Sequence, residues 1–317
     1  MKYLAWRQHR NQLGFAALGL AALAAILVPT GIHLASAYSA ATQGCASPGA
    51  CADTGAIFAN YGVLLDLIAL TAVVPALFGL FWGAPMVAAE TETGTQLLAW
   101  TQTVTRRRWL AVKAAWMIGA AALWGAAISI LVSWWSGPVN AVNHSRFNLG
   151  HFDTQGLVPV GYAVFGVALG ISVGAIMRRV LPALATTLGI FAGMRFAIDY
   201  LLRPHYLSPT TAAFPLGSQT ASPAGSFWPI NNSILDASGR VFDKVHLVAA
   251  YFPATCRSRL GSATFERCLG SHGWKVLLQF QPANRFWTFQ AIETAIYLAL
   301  AAALLLVAFR VVERHDA

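Results

Sequence analysis

Charge is scarce in this chain. Only 10% of its 317 residues are Asp, Glu, Lys or Arg, against about a quarter in soluble domains. With 57% hydrophobic residues, a soluble fold of this length could not hide its apolar surface. Several apolar runs exceed the ~18 residues that mark a membrane span. In lipid each backbone N–H and C=O must be satisfied within its segment, so such runs are helices. Alternating segments of about ten residues, the mark of a membrane β-barrel, are missing.

Other absences narrow the function. There is no Walker A sequence G-x-x-x-x-G-K-[ST]. If ATP drives this protein, ATP and Mg²⁺ are bound by another chain, and this one carries no cofactor. No catalytic constellation and no standard metal pattern is visible, and His33, His144 and His151 read as lone polar residues. No repeat of fixed period is legible. No basic helix with interleaved aromatics supports nucleic-acid binding, although the net charge is +9. That charge sits in short clusters between apolar runs, which points to topology and lipid headgroups.

What is present is a series of six apolar runs. Spans are expected at about residues 13–37, 57–87, 110–135, 156–177, 181–202 and 286–311. The fold class is therefore an all-α integral membrane protein, read as a single transmembrane domain over 1–317. Residues 1–12, with Trp6 among Lys2, Arg7 and Arg10, suggest a short amphipathic helix on the inner surface. The first span also has the outline of a signal peptide ending at Ala35-Ser36-Ala37; its apolar core is longer than the usual ~7–15 residues, which favours a retained span and leaves cleavage as the alternative. Pro75 marks a kink in span two. Residues 203–285 hold no spanning run.

Lys2, Arg7, Arg10, Arg106, Arg107, Arg108, Lys113, Arg178, Arg179, Arg310 and Arg314 all fall on one side of this topology. The opposite short loops contain Arg146. The positive-inside rule makes both termini cytoplasmic, and loops over about 60 residues such as 203–285 escape it. All four cysteines, Cys45, Cys51, Cys256 and Cys268, then lie outside, which argues for disulfides. Proximity favours Cys45–Cys51 and Cys256–Cys268, with three connectivities open. Zinc held by the second pair with His246 and His272 is the rival reading.

Charges inside spans are costly, about 2.5–3.5 kcal/mol each at a helix centre. Asp66 lies in span two, Arg195 and Asp199 in span five, and Glu293 in span six. They are expected in the outer half of the membrane, with Arg195 and Asp199 paired across one turn. They line an exit vestibule or gate, or they form a structural ion-pair cluster. Gly166, Gly170 and Gly174 form a small-residue face on span four, and Gly189 with Gly193 does so on span five. Such faces serve packing within the chain or a dimer surface.

The polar stretch 88–109 begins with Glu90 and Glu92 and ends with Arg106 to Arg108. That order suits the macrodipole of a single helix. Leu97, Trp100 and Val104 give it an apolar face, which wants a partner or the membrane surface.

This stretch resembles ABC-2 type permeases, the membrane subunits of ABC exporters with the ABCG-like type V fold. The matching residues are Glu90, Gly94, Thr95, Gln102, Val104, Thr105, Arg106, Arg108, Trp109 and Lys113. Trp6 to Arg10 and the run Gln281 to Glu293 are similar too. The resemblance implies a bacterial cytoplasmic-membrane permease that is not itself an enzyme. It would pair with a second permease chain and a separate ATPase, among membrane lipids. Residues 1–12 would be the elbow helix and 88–109 the coupling helix. Glu90, Gly94, Thr95, Trp100, Gln102, Arg106, Arg108 and Trp109 would then serve ATPase coupling, and 203–285 would cap the exit with short re-entrant helices. Two other functions remain open. One is an ATP-independent sensor, immunity protein or membrane enzyme using its external segment. The other is a proton-driven transporter with Asp66 and Glu293 as proton sites.

Overall fold

The structure, a computed structural model, describes residues 2–43, 60–94, 105–142, 146–147, 149–217, 223, 227–243, 251–257 and 263–314. Its helices are α1 (Lys2–Thr42), α2 (Gly62–Thr93), α3 (Arg106–Trp135), α4 (Gly137–Val142), α5 (Leu149–Phe152), α6 (Val158–Met177), α7 (Val180–His205), α8 (Ala254–Arg257), α9 (Ala263–Ser271) and α10 (Phe286–Arg314). Its strands are β1 (Thr210–Pro215), β2 (Phe227–Leu235), β3 (Val241–Asp243) and β4 (Lys275–Pro282). Among the described residues, 6 helices are long and apolar enough to cross a membrane: α1, α2, α3, α6, α7 and α10. The chain divides into two compact units. One comprises Met1–Val142, Leu149–Arg203 and Trp287–Ala317, and the other Asn143–Asn148 and Pro204–Phe286.

In the helical unit α6 is the central element, buried along nearly its whole length. Its small residues explain how. A Cβ on Gly166 would strike the Pro75 carbonyl, and one on Gly174 the Ala84 carbonyl. A Cβ on Gly170 would strike the backbone of Gly79 and Ala84. The face thus seats α6 on α2 by close backbone approach, the packing that replaces hydrophobic drive in lipid. By contrast, a Cβ on Gly189 or Gly193 of α7 would meet nothing within 4 Å. Around Pro75, α2 leaves α geometry, with a 3₁₀ turn at Thr71–Val73 and a π turn at Gly79–Gly83.

Two expectations are corrected here. Residues Lys2–Gln12 do not form a separate elbow helix but run straight into the first span as part of α1. No Pro or Gly interrupts the backbone before Gly14, and one Gly costs only ~1 kcal/mol in a helix. Nor is 88–109 a single polar helix. α2 runs on to Thr93 and stops at Gly94, whose φ of 71° is the left-handed turn that glycine takes at a helix end. α3 starts after Thr105, whose side chain accepts from Arg108 N at 3.4 Å. Glu90 and Glu92 therefore end one helix and Arg106 to Arg108 begin another. Both groups sit at the dipole end that disfavours them. Thr95, Trp100 and Gln102, with Leu97 and Val104, lie outside the described residues.

The second unit overturns the purely α-helical expectation. It holds a four-stranded antiparallel sheet in the order β1-β4-β2-β3. β4 lies between β1 and β2, and a register shift falls between Pro229 and Asn231. Where re-entrant helices were expected, the sheet is accompanied by the short α8 and α9. Cys256 and Cys268 are bonded to each other and tie α8 to α9. Phe252, Trp274 and Leu269 pack around them. Asp236 closes the turn between β2 and β3, its Oδ1 accepting from Ser238 Oγ at 2.7 Å, Ser238 N at 2.8 Å and Arg240 N at 2.9 Å. Those hydrogen bonds, Ser238's hydroxyl first, hold its carboxyl below the usual carboxylate range.

Candidate functional site

The densest polar feature of the helical unit is a buried charge cluster joining four segments. Arg203, near the end of α7, is 1% exposed. Its Nε donates to Glu293 Oε2 of α10 at 2.8 Å and its Nη2 to Glu293 Oε1 at 2.7 Å. The same Nη2 reaches Asp199 Oδ1 at 2.6 Å and Asp153 Oδ1 at 2.8 Å. Arg195, one turn before Asp199, donates to Asp153 Oδ2 at 2.6 Å and pairs with Asp199 Oδ2 at 3.1 Å. Tyr162 of α6 donates its hydroxyl to Glu293 and lies 3.1 Å from Asp153 Oδ1. The two guanidiniums also lie over rings, Arg195 over Tyr162 at 3.9 Å and Arg203 over Phe152 at 4.4 Å. Charges taken out of water need this many partners, or the desolvation cost exceeds the attraction.

A second knot sits beside it. Gln290, one turn before Glu293, is fully buried. Its Oε1 accepts from Leu157 N and Val158 N, both at 2.9 Å, and its Nε2 donates to Phe152 O at 2.9 Å. The first N–H groups of a helix lack internal partners, and α10 supplies one to α6. Gly156 makes room, with φ at 73° and a virtual Cβ 2.7 Å from Gln290 Oε1.

The third polar feature lies at the far end of α2. Glu90 pairs with Lys113 of α3, both largely buried, and the Lys113 ammonium lies 4.7 Å from the Trp109 ring centroid. Glu92 Oε2 accepts from Val180 N, the first residue of α7, at 2.9 Å. Lys113 neutralises Glu90, and the Val180 N–H gives Glu92 a hydrogen-bond donor, at the helix end where the dipole of α2 disfavours both. These contacts also link the end of α2 to the starts of α3 and α7.

The residues singled out from sequence are thus distributed. Arg195, Asp199 and Glu293 come together. Asp66 stands exposed on α2 and is not part of the cluster. Of the coupling set, Glu90, Gly94, Arg106, Arg108 and Trp109 are described. Arg108 is exposed, while Trp109 is 3% exposed and packs in the bundle core. Cys45 and Cys51 lie outside the described residues, as do His144 and His246.

Sequence reading missed two charged members, Asp153 and Arg203, along with the uncharged Tyr162. Arg203 was assigned to the external segment because the apolar run stops at Leu202. A π turn at Ala197–Leu202 and a 3₁₀ turn at Arg203–His205 carry the helix onward. The spacing Arg195, Asp199, Arg203 was the available signal, since residues four apart share a helix face. Asp153 sat in a stretch read as loop, and nothing in its neighbours marked it as buried.

The carboxylates of Asp153, Asp199 and Glu293 lie within 4.8 Å of one another, close enough to share a cation. The positive charge they share is the Arg203 guanidinium, whose Nη2 touches all three. In the other unit Cys256 and Cys268 are spent on each other, and His272 Nδ1 lies 2.9 Å from the Cys268 carbonyl. That replaces the zinc reading of the pair.

Six helices long and apolar enough to cross a membrane, with the family match that follows, define a multi-pass membrane protein. The chain belongs to the ABC-2 membrane transporter related family, which matches residues 17–203. That family marks it as an ABC transporter membrane subunit, a transport component of a kind that normally works with an ATPase partner. No curated protein and no solved structure matches it.

Proposed function

We propose that this chain is the pathway-forming permease of an ATP-driven exporter in the bacterial cytoplasmic membrane. It works as a dimer, both termini face the cytoplasm, and a separate ATPase chain binds ATP and Mg²⁺. The observation that carries this reading is the junction at the end of α2. Glu90 holds α3 through Lys113, and Glu92 holds α7 through Val180 N. A push on the segment between Gly94 and Thr105 is thereby delivered to three spanning helices at once. A transporter coupled to a motor needs such a rigid transfer point, because the motor acts only by favouring one of two bundle arrangements. The Cys256–Cys268 bond supports an oxidising location for its unit, in keeping with the arginine bias of the other side.

The charge cluster reads as a structural tie in this scheme. Glu293 is held by Arg203 and Tyr162, which leaves it poorly suited to carry protons across a membrane. The test is co-purification of the full chain with its ATPase subunit in mild detergent. Trp100→Ala with Gln102→Ala is expected to insert normally, lose the ATPase and stop transport. Retention of the ATPase with full transport in that variant would sink the coupling assignment.

A further inference from the structure

The end of α3 carries a polar stripe. Ser129, Ser133, Ser136 and Asn140 recur at steps of four, three and four residues, the spacing that keeps side chains on one helix face. Ser136 N donates to Val132 O at 2.9 Å and Asn140 N to Ser136 O at 2.8 Å, so helical hydrogen bonding continues from α3 through Ser136 into α4. The stripe meets the segment that leads into α6. Ser129 Oγ donates to Gly156 O, and Gly156 N donates to Ser133 Oγ at 3.3 Å. One step further on, Asn140 Nδ2 donates to Gln155 Oε1 at 2.9 Å.

These contacts satisfy only part of the stripe. Ser136, Asn140 and Gln155 are 0%, 8% and 3% exposed. Ser136 Oγ, Asn140 Oδ1 and Gln155 Nε2 are buried and have no hydrogen-bond partner among the described residues. Turning both amides over changes nothing, since the pair would still leave one donor and one acceptor unused. The three atoms belong to neighbours. Asn140 is bonded to Gln155, and Ser136 stands one helical turn before Asn140, about 5–6 Å away at Cβ. Buried polar groups left unpaired are costly, and an interior normally satisfies them with protein or with ordered water. Gln290 provides the contrast: equally buried, it has both its oxygen and its nitrogen engaged by protein.

We propose that Ser136, Asn140 and Gln155 bind a structural water that joins α4 to the segment entering α6. The water donates to Asn140 Oδ1, accepts from Gln155 Nε2 and makes its third hydrogen bond with the Ser136 hydroxyl. Three partners is the usual number for a buried water. A cation suits the two oxygens but would face the Gln155 N–H, and an anion would face the Asn140 oxygen. Water alone of the three both donates and accepts. Ser129 and Ser133 fasten α3 to Gly156 directly, and the water extends that seam by one rung.

The test is solid-state NMR of the full chain in lipid bilayers, with isotope-labelled Asn and Gln side-chain amides and magnetisation transferred from water. In wild type, transfer is expected at Asn140 and Gln155 and none at Gln290. Ser136→Leu puts apolar volume into the site and should abolish the transfer at Gln155. Absence of transfer at Asn140 and Gln155 in wild type overturns the proposal, as does its survival in folded Ser136→Leu. Equal transfer at Gln290 would mark general solvent penetration of the bundle and overturn it too. Replacing sodium chloride by choline chloride should leave the Asn140 signal in place; a shift there would assign the site to a cation instead. The comparison of Gln155 with Gln290 is made within one folded protein, so it decides the matter if Ser136→Leu misfolds.

Discussion

Arg203 and Glu293 make two parallel hydrogen bonds, Nε to Oε2 at 2.8 Å and Nη2 to Oε1 at 2.7 Å, across 90 residues of chain. This forked pairing is the strongest geometry available to an arginine and a carboxylate. Both side chains are buried, so neither has water to fall back on.

Arg203→Met is expected to destabilise the helical unit by about 3–5 kcal/mol, because it strands the carboxylates that Arg203 now holds. Arg203→Lys should be only partly better, since an ammonium cannot reproduce the fork. Thermal unfolding in detergent measures both. A melting point unchanged in Arg203→Met would show that the cluster is not a structural tie.

The Glu90–Lys113 pair predicts non-additivity. Glu90→Gln and Lys113→Met each leave a buried charge alone and should be clearly destabilising, by up to the same ~3–5 kcal/mol. The double variant should recover much of that loss in stability while still failing in transport. A double-mutant cycle with no coupling energy would refute the link between α2 and α3.

The two glycine sets should respond in opposite ways. Gly170→Ala drives a methyl into the backbone of α2 and should cost about 1–3 kcal/mol or more, as overpacking does. Gly189→Ala and Gly193→Ala meet open space and should be neutral or stabilising by ~0.5–1 kcal/mol, through helix propensity. Unfolding midpoints of the three variants, compared in one detergent, decide it. Equal losses at all three would mean that Gly189 and Gly193 also carry close packing.

Removing the disulfide with Cys256→Ser and Cys268→Ser should weaken the sheet-containing unit by about 3 kcal/mol, the typical value for a loop of this size. Faster proteolysis within 204–286 is the expected readout. An unchanged cleavage pattern would show that Phe252, Trp274 and Leu269 hold α8 and α9 without it.

Much of the helical unit was legible in the residues. Long apolar runs must be helices in lipid, and the three glycines four apart on α6 marked a packing face, although the same spacing at Gly189 and Gly193 of α7 meets open space. The sheet was not legible in the same way. β2 contains Pro229 and two adjacent asparagines, and its residues alternate poorly, so no period-2 signal rises above the loop background. The site was half visible. Arg195, Asp199 and Glu293 stood out because charge inside a span is conspicuous. Asp153 and Arg203 did not, because a polar residue beyond a hydrophobic run looks solvated until tertiary packing buries it. Glu90 and Glu92 were visible but assigned to the wrong helix. Their charge order matched a single dipole, while Gly94 alone marked the break.

Gln290 gives the bundle an order of assembly. Among the described residues, Leu157 N and Val158 N, the first donors of the central helix, find their side-chain acceptor on the sixth span. Glu293, one turn further on, likewise supplies the carboxylate that completes the Arg203 fork. During synthesis the first five spans must therefore wait in the membrane with a helix end unfinished and a guanidinium half satisfied. The arrival of α10 is what locks them, so folding of the helical unit is completed from its C-terminal end.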